Sequence, residues 1–317
     1  LRQDRNAYIS GERLSETLGV SRTAIWKHIK SLRAEGYNID SVTNKGYRLI
    51  SDSEEISAIS LNEIIQTYSY LDFSSYFETI DSTNLEAKRR ALESENAQGI
   101  IIASEQRSGK GRLGRQWASE NHAGLWMSLL IKPDVPPESA SCITLVAASS
   151  MCQAIEKTTK LKVGIKWPND LVINGKKCCG ILTEMSAELN HLHYIVLGIG
   201  VNIGQLTFDE DIREKATSLE LEGAQVSAKE LLVGFLDAFS DDYRRFLEMD
   251  MAPIIAYHKS HSVTLNKEII VASSTGSKIA QAVDLAEDGS LIIINQNGQL
   301  ENVLSGEVSV RGINGYV

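Results

Sequence analysis

The sequence has no long apolar run: nothing in its 317 residues approaches the roughly 20 residues of a bilayer span. Its first ten residues are polar, so no secretory leader is expected. Cysteine is scarce. Cys142, Cys152, Cys178 and Cys179 lack metal-type spacing, and the vicinal pair Cys178-Cys179 is poorly placed for a disulfide. Reduced thiols in a cytoplasmic protein are the expectation. Six histidines are scattered, with His191 and His193 in a polar turn, and no His-Glu-x-x-His occurs. Zinc hydrolysis therefore has no footing, and without a serine elbow neither does serine nucleophilic chemistry. There is no P-loop, and Gly198-Ile199-Gly200-Val201-Asn202 lacks the spacing and following helix of a dinucleotide fingerprint. Any nucleotide must be held in another way.

What is present is ample for folding. A hydrophobic fraction of 43% excludes a disordered chain, and the length points to two or three domains. The net charge of −9 is unevenly spread: residues 1–50 carry nine Lys/Arg against five Asp/Glu, a net of +4, which leaves −13 for the remainder. A basic head on an acidic body is the asymmetry expected if only the head meets nucleic acid.

The head reads as helix, tight turn, helix and basic hairpin. Ser10 caps a helix carrying Leu14, Thr17 and Leu18 on one face, and Gly19 permits the turn. Ser21 caps a second helix, Arg22 to about Glu35, with Ala24, Ile25, Ile29 and Leu32 on its apolar side. Arg22, Thr23, Trp26, Lys27 and Lys30 fall mostly opposite, the composition of a helix that enters a major groove. Strands at 38–42 and 47–50 flank Thr43-Asn44-Lys45-Gly46, whose Asn and Gly supply positive φ. Together these spell a winged helix-turn-helix. Its first helix is almost absent ahead of Ser10, and the chain starts at Leu1 without methionine, so a trimmed terminus is expected.

Polar, acidic residues 51–60 read as a linker. Beyond it, strands at 76–80, 99–103, 124–131, 163–167, 171–174, 180–185 and 194–201 alternate with helices at about 82–93, 139–160 and 227–250, an α/β domain with a mixed sheet. Ser82-Thr83-Asn84 is expected to cap the first of these helices. From Ser262, strands at 268–273, 280–285, 290–295 and 303–310 with turns at Asp288-Gly289 and Asn297-Gly298 indicate a small β-barrel or sandwich.

Two stretches carry chemistry. Ser104 to Trp117 holds three glycines and four cations between Arg107 and Arg115, either a solvated basic hairpin or a cradle for an anion. Lys166-Trp167-Pro168-Asn169-Asp170 joins two buried strands, where Asp170 could hold Mg²⁺, orient a ribose or amine, or simply belong to an Asx turn.

Taken together, the segments at 104–117, 166–171, 177–184 and 198–202 resemble those of biotin–protein ligases. The basic winged helix ahead of them resembles the larger members, which are also biotin operon repressors. The resemblance spans nearly all of the chain, including Gly306 to Arg311. It implies an α+β multidomain protein: a winged helix-turn-helix over 1–50, a linker over 51–61, a class II synthetase-like mixed-sheet ligase domain over 62–260 and an SH3-like β-barrel over 261–317.

It also implies a reaction. Biotin carboxylate attacks the α-phosphate of ATP, with Mg²⁺ on the leaving pyrophosphate, and a lysine of a biotin carboxyl carrier protein (of acetyl-CoA carboxylase or pyruvate carboxylase) then takes the biotinyl group. Matched residue by residue, Ser82, Thr83, Asn84, Gln106, Lys110, Gly111, Arg112 and Lys177 fall to biotin. Arg112, Arg115, Trp117, Asn169, Lys177 and Asn202 fall to the nucleotide. Arg112, Lys177 and Asp170 are the expected catalytic groups, Asp170 handling the acceptor lysine, and no resident metal is expected. Ser21, Arg22, Thr23, Trp26, Lys27, Lys30 and Lys45 are the expected contacts to operator DNA, which a homodimer would bind. Residues 203–218 are expected to order over the product.

Two departures stand out: Lys110 replaces an arginine common in the family, losing its bidentate fork, and the covering loop lacks tryptophan, leaving Phe208 as a substitute. A biotin-responsive regulator with weak ligase activity and a lipoate ligase are the alternatives.

Overall fold

The computed structural model describes all residues except 2–6, 35, 52–54, 95–96, 274–275, 306–308, 314–315 and 317. The chain forms two compact units, Leu1–Ser60 and Leu61–Val317.

In the first, α1 (Gly11–Leu18) starts at Ser10, whose hydroxyl accepts from Arg13 N, and stops at Gly19, φ 64°. α2 (Arg22–Ala34) follows, capped by Ser21 through Ala24 N. β1 (Asn38–Val42) and β2 (Gly46–Ser51) pair antiparallel around a turn with Asn44 at φ 66° and Gly46 at φ 108°. Gly46 has a second reason to be glycine: a Cβ there would lie 2.1 Å from the Ile9 carbonyl, which is bonded to Tyr47 N. Ile25, Ile29, Tyr37, Ile39 and Leu49 form the small core, each burial contributing about 2 kcal/mol. The expected helix ahead of Ser10 would fall largely on residues outside those described.

The linker expected over 51–61 is shorter than that, because α3 (Ala58–Ile65) begins inside it. Ser57 and Ser60 exchange hydrogen bonds at its start. In the second unit come β3 (Phe73–Ile80), α4 (Thr83–Glu93), β4 (Gly99–Gln106), β5 (Gly124–Ile131), α5 (Ile143–Thr159), β6 (Gly164–Lys166), β7 (Asp170–Ile173), β8 (Lys176–Glu188) and β9 (His191–Asn202). They build a seven-stranded sheet of order β3-β4-β5-β9-β8-β7-β6, in which β3 and β4 run parallel and every other pair antiparallel. The helix expected from Ser139 is a 3₁₀ turn over Pro137–Cys142 followed by α5. α5 is buried on nearly all sides, since it lies against β6–β8 and against α6 (Ala228–Leu247) and α7 (Ala252–His261). α6 opens with a capping box between Ser227 and Glu230. Phe235, Phe239 and Tyr243 follow at intervals of four, so their rings stack at 5.3 Å along one face.

The C-terminal sheet contains β10 (Glu268–Ser273), β11 (Gly276–Leu285), β12 (Leu291–Asn295), β13 (Leu300–Val303) and β14 (Ser309–Gly312), ordered β13-β12-β11-β10-β14 and wholly antiparallel. The single strand expected over 303–310 is therefore two: β13 ends at Val303, and β14 pairs with β10 on the far side. Residues 306–308 of that stretch lie outside those described.

Candidate active site

A cavity of about 490 Å³ opens in the second unit over the middle of the seven-stranded sheet, lined by α4, β8, β9, the loop after β4, the β6–β7 turn and the C-terminal segment. β9 sets its long axis. Gly198, Gly200 and Asn202 alternate along that strand and face the cavity. A Cβ at Gly198 would lie 2.1 Å from Asn84 Oδ1, and one at Gly200 would lie 2.5 Å from Trp117 Nε1. Gly180, the register partner of Gly200, clears the same ring from β8. The three absent side chains let Asn84 and Trp117 lie directly on the sheet. From Gly198 to Asn202 the strand rises by about 13 Å.

At the Gly198 end the groups are neutral and mutually bonded. Gln106 Oε1 accepts from Thr83 N at 2.8 Å and Thr83 Oγ1 at 3.1 Å, while Gln106 Nε2 donates to Ser119 Oγ at 2.8 Å. Ser128 Oγ lies 2.7 Å from Thr83 Oγ1 and 2.6 Å from Asn84 Oδ1. Asn84 Nδ2 donates to Glu184, which also takes Lys88 at 2.6 Å and is held below the usual carboxylate range against its burial. Ser82 holds the N-cap position of α4 but makes no capping bond through its side chain, so the expected cap is positional only. Thr83 and Asn84 turn their side chains to the cavity network instead.

The other end is cationic. Among the described residues Arg112, Arg115, Lys166, Lys177, Lys215 and Arg311 line the cavity there against only two carboxylates, Asp170 and Asp211, while Lys110, also in the lining, acts on Glu184 at the Gly198 end. The turn at Trp167-Pro168-Asn169, whose Trp167-Pro168 bond is cis, places Lys166 opposite Asp170 in register. Lys177 Nζ lies 2.5 Å from Asp170 Oδ1 and 5.1 Å from the Trp117 ring centroid. Arg112 Nη1 donates to Asn169 Oδ1 at 2.8 Å, and its Nη2 donates to the Ser305 carbonyl. Burial lowers the Arg112 pKa, partly offset by Asp170. Asn169 Nδ2 donates to the Ile181 carbonyl at 2.9 Å. Arg112 and Lys177 thus face one shared cavity.

Sequence reasoning passed over Ser128, Glu184 and Tyr316, and named Lys166 in its motif without giving it a role. Lys166 is 5% exposed, and burial pushes its pKa down to about 8. Its Nζ lies 3.4 Å from the centroid of the Tyr316 ring, and the Tyr316 hydroxyl donates to Asp170 Oδ2. Asp170 is held below the usual carboxylate range by Lys177, Tyr316 and Lys166 despite burial. With Lys177, Asn169 and Tyr316 on its two oxygens, Asp170 has little left to offer a metal ion. The one group of potential metal donors within 4.8 Å of one another among the described residues, Cys152, Glu156 and His261, does not line the cavity.

Over the cationic end lies the segment 203–218. Lys177 N donates to the Lys215 carbonyl at 2.7 Å and Thr217 N to the Lys177 carbonyl at 2.9 Å. Phe208, half-buried, faces the cavity, and Asn202 Nδ2 anchors the segment through the Thr217 carbonyl at 3.0 Å. In the basic loop Lys110 and Arg115 are exposed, and Leu113 takes φ 56°. Trp117 Nε1 is buried with no partner among the described residues.

The first unit offers a separate surface. Arg22, Thr23, Trp26, Lys27, Lys30 and Lys45 are all exposed, and Lys30 Nζ lies 5.6 Å from the Trp26 ring centroid. Ser21 is exposed too, but its hydroxyl is engaged as the cap of α2.

Comparison with known proteins matches three family models along the chain. They are an HTH domain over residues 1–48, the biotin/lipoate A/B protein ligase family over 76–202 and the biotin protein ligase C terminal domain over 264–311. The chain is 33% identical to the bifunctional ligase/repressor BirA of Bacillus spizizenii, across 97% of this chain and 95% of the relative. It is 30% identical to the protein of that name from Escherichia coli, across 95% and 92%. A biotin protein ligase from Aquifex aeolicus solved in complex with biotin and ATP superposes with a TM-score of 0.67 at 29% identity, covering 76% of this chain and all of that one.

Proposed function

The chain belongs to the bifunctional biotin ligase/repressor family, and we propose that its cavity makes biotinyl-5′-adenylate and then passes the biotinyl group to a lysine of a biotin carboxyl carrier protein. The observation that carries this reading is the division of one cavity into a neutral, hydrogen-bonding end and a cationic end. A ureido ring is neutral and offers donors and an acceptor; Thr83, Asn84 and Gln106, the first two held from behind by the buried Ser128, suit it. A dithiolane ring offers no such pairs, so the same end argues against lipoate. Ser82, Lys110 and Gly111 complete the biotin subsite.

The valerate carboxylate and the α-phosphate of ATP must then meet. Two unit negative charges at about 4 Å repel by roughly 4 kcal/mol at an effective dielectric of about 20. Arg112 and Lys177, largely withdrawn from water, offset that repulsion and stabilise the charge that develops at phosphorus. ATP enters as its Mg²⁺ complex, the ion travelling with the substrate phosphates. Trp117, whose Nε1 has no partner among the described residues, and Asn169, Asn202 and Arg115 bound the nucleotide side. Phe208 and segment 203–218 exclude water from the hydrolysable anhydride. Asp170 handles the acceptor lysine.

The exposed Arg22, Thr23, Trp26, Lys27 and Lys30 of α2 enter the major groove of operator DNA, with Lys45 on the flanking phosphates and Ser21 at the helix start. A homodimer occupies two half-sites. Carriers from acetyl-CoA carboxylase or pyruvate carboxylase are the acceptors. Incubation with biotin, MgATP and a carrier domain should label one carrier lysine; soluble, folded protein that labels none would remove the ligase reading.

A further inference from the structure

We propose that Tyr316 is a positioning residue for the transfer half-reaction, reserving one oxygen of Asp170 for the acceptor lysine. This rests on the ligase reading above.

Asp170 has two oxygens with different partners. Oδ1 takes Lys177 Nζ at 2.5 Å and Asn169 Nδ2 at 3.2 Å, and Oδ2 takes the Tyr316 hydroxyl. Lys177 is the partner that has other work: once the adenylate is bound, its ammonium turns to the phosphate, and Oδ1 keeps only the long Asn169 Nδ2 contact, which leaves it room to accept from the incoming amine. Tyr316 keeps hold of Oδ2, so the carboxylate cannot rotate and Oδ1 stays turned to the cavity.

The ring does a second job. Lys166 sits opposite Asp170 across the β6–β7 turn, buried, with its ammonium 3.4 Å from the Tyr316 ring centroid. That face gives the cation a partner other than the carboxylate. Without it, Lys166 is free to fall onto Asp170 and occupy the position the acceptor needs.

In the transfer itself the acceptor Nζ bonds to the biotinyl carbonyl carbon, the anhydride C–O bond breaks, and AMP leaves with the electron pair. The acceptor ammonium sheds two protons, one to solvent before attack and one to Asp170 as the new bond forms. Tyr316 touches none of the reacting atoms and acts through Asp170 and Lys166.

The test separates the two half-reactions in the full-length chain. Pyrophosphate release reports adenylate formation, and single-turnover labelling from preformed adenylate reports transfer to the carrier domain. Tyr316→Phe keeps the ring and loses the hydroxyl. It should slow transfer by about 10-fold or more, the usual consequence of losing one hydrogen bond to a charged acceptor, with a smaller effect on adenylate formation. The acid limb of the transfer profile should also move to higher pH, because one group that favours the Asp170 carboxylate is gone. The charges facing Asp170, namely Lys177, Lys166 and Arg112, remain, as does the neutral Cys179 thiol. Tyr316→Ala, which also frees Lys166, should slow transfer further. Equal losses in both half-reactions with an unmoved profile, or wild-type transfer in Tyr316→Phe, would overturn the assignment. Wild-type protein that forms no adenylate would instead sink the ligase reading itself.

Discussion

Alternate positions of β9 bear the tightest steric demand in the site. Gly198 and Gly200 face Asn84 and Trp117 at distances where no Cβ fits, 2.1 and 2.5 Å. Gly111 is different: a Cβ there would meet only Arg115, at 3.4 Å or more, an ordinary contact. Gly198→Ala should therefore displace Asn84 from Ser128 and Glu184, cost about 1–3 kcal/mol of stability and weaken biotin binding at least tenfold. Gly111→Ala should leave stability within about 0.5 kcal/mol of wild type. Calorimetric titration of biotin beside urea unfolding reads both; a Gly198→Ala protein that binds biotin normally would refute the packing argument. The close approach along residues 198–202 is legible in the sequence as glycine alternation in a strand. What it approaches is not, since Asn84 lies more than a hundred residues earlier. Tyr316 went unread for the same reason: Asp170 and Tyr316 are separated by 146 positions, and no local pattern links them. Lys166 is legible as a cation beside Asp170, but its seat on the Tyr316 ring is not.

At the scale of elements, boundaries that depend on local chemistry are readable and those that depend on neighbours are not. The caps of α1 and α2, the Asn44–Gly46 turn and the apolar runs of β5 and β10 stand in the sequence as they stand in the fold. α7 does not, because its short segment has no clear apolar stripe and is helical by virtue of packing on α5. His258 makes that contact. It is 1% exposed, its Nε2 lies 2.9 Å from the Leu145 carbonyl, and burial holds its pKa down to about 4. The unfolded chain takes up the proton near pH 6.5, whereas the folded one resists until about 4, so folding excludes a proton between those values. Stability contributed here is present above pH 6.5 and is lost as pH falls toward 4, by roughly 3 kcal/mol in all. His258→Gln keeps a donor for Leu145 and cannot titrate. The stability gap between wild type and this variant should shrink by about that amount from pH 7 to pH 4 in urea unfolding. A gap independent of pH would show that His258 is not the buried titrating group.

For the whole molecule, the relevant fact is that ligase chemistry needs only part of the chain. The Aquifex ligase is matched along its entire length by 76% of this chain, and every residue lining the cavity belongs to the unit that starts at Leu61. The head carries +4 against −13 for the rest, so nucleic-acid affinity should reside in the head and be electrostatic in large part. A chain cut before Glu55 keeps α3 whole, including its Ser57–Ser60 exchange, and should still label a carrier lysine while losing operator binding. In the intact chain, replacing Lys27 and Lys30 together by alanine should weaken operator binding and flatten the slope of log affinity against log salt by about two, one unit for each phosphate no longer neutralised. Trp26→Ala should leave that slope unchanged, because it removes no charge, and should narrow the gap between operator and random DNA if the ring reads base edges. An unaltered slope in the double lysine variant would mean that α2 does not face the phosphates, and the groove-binding role would then have to pass to the Lys45 hairpin.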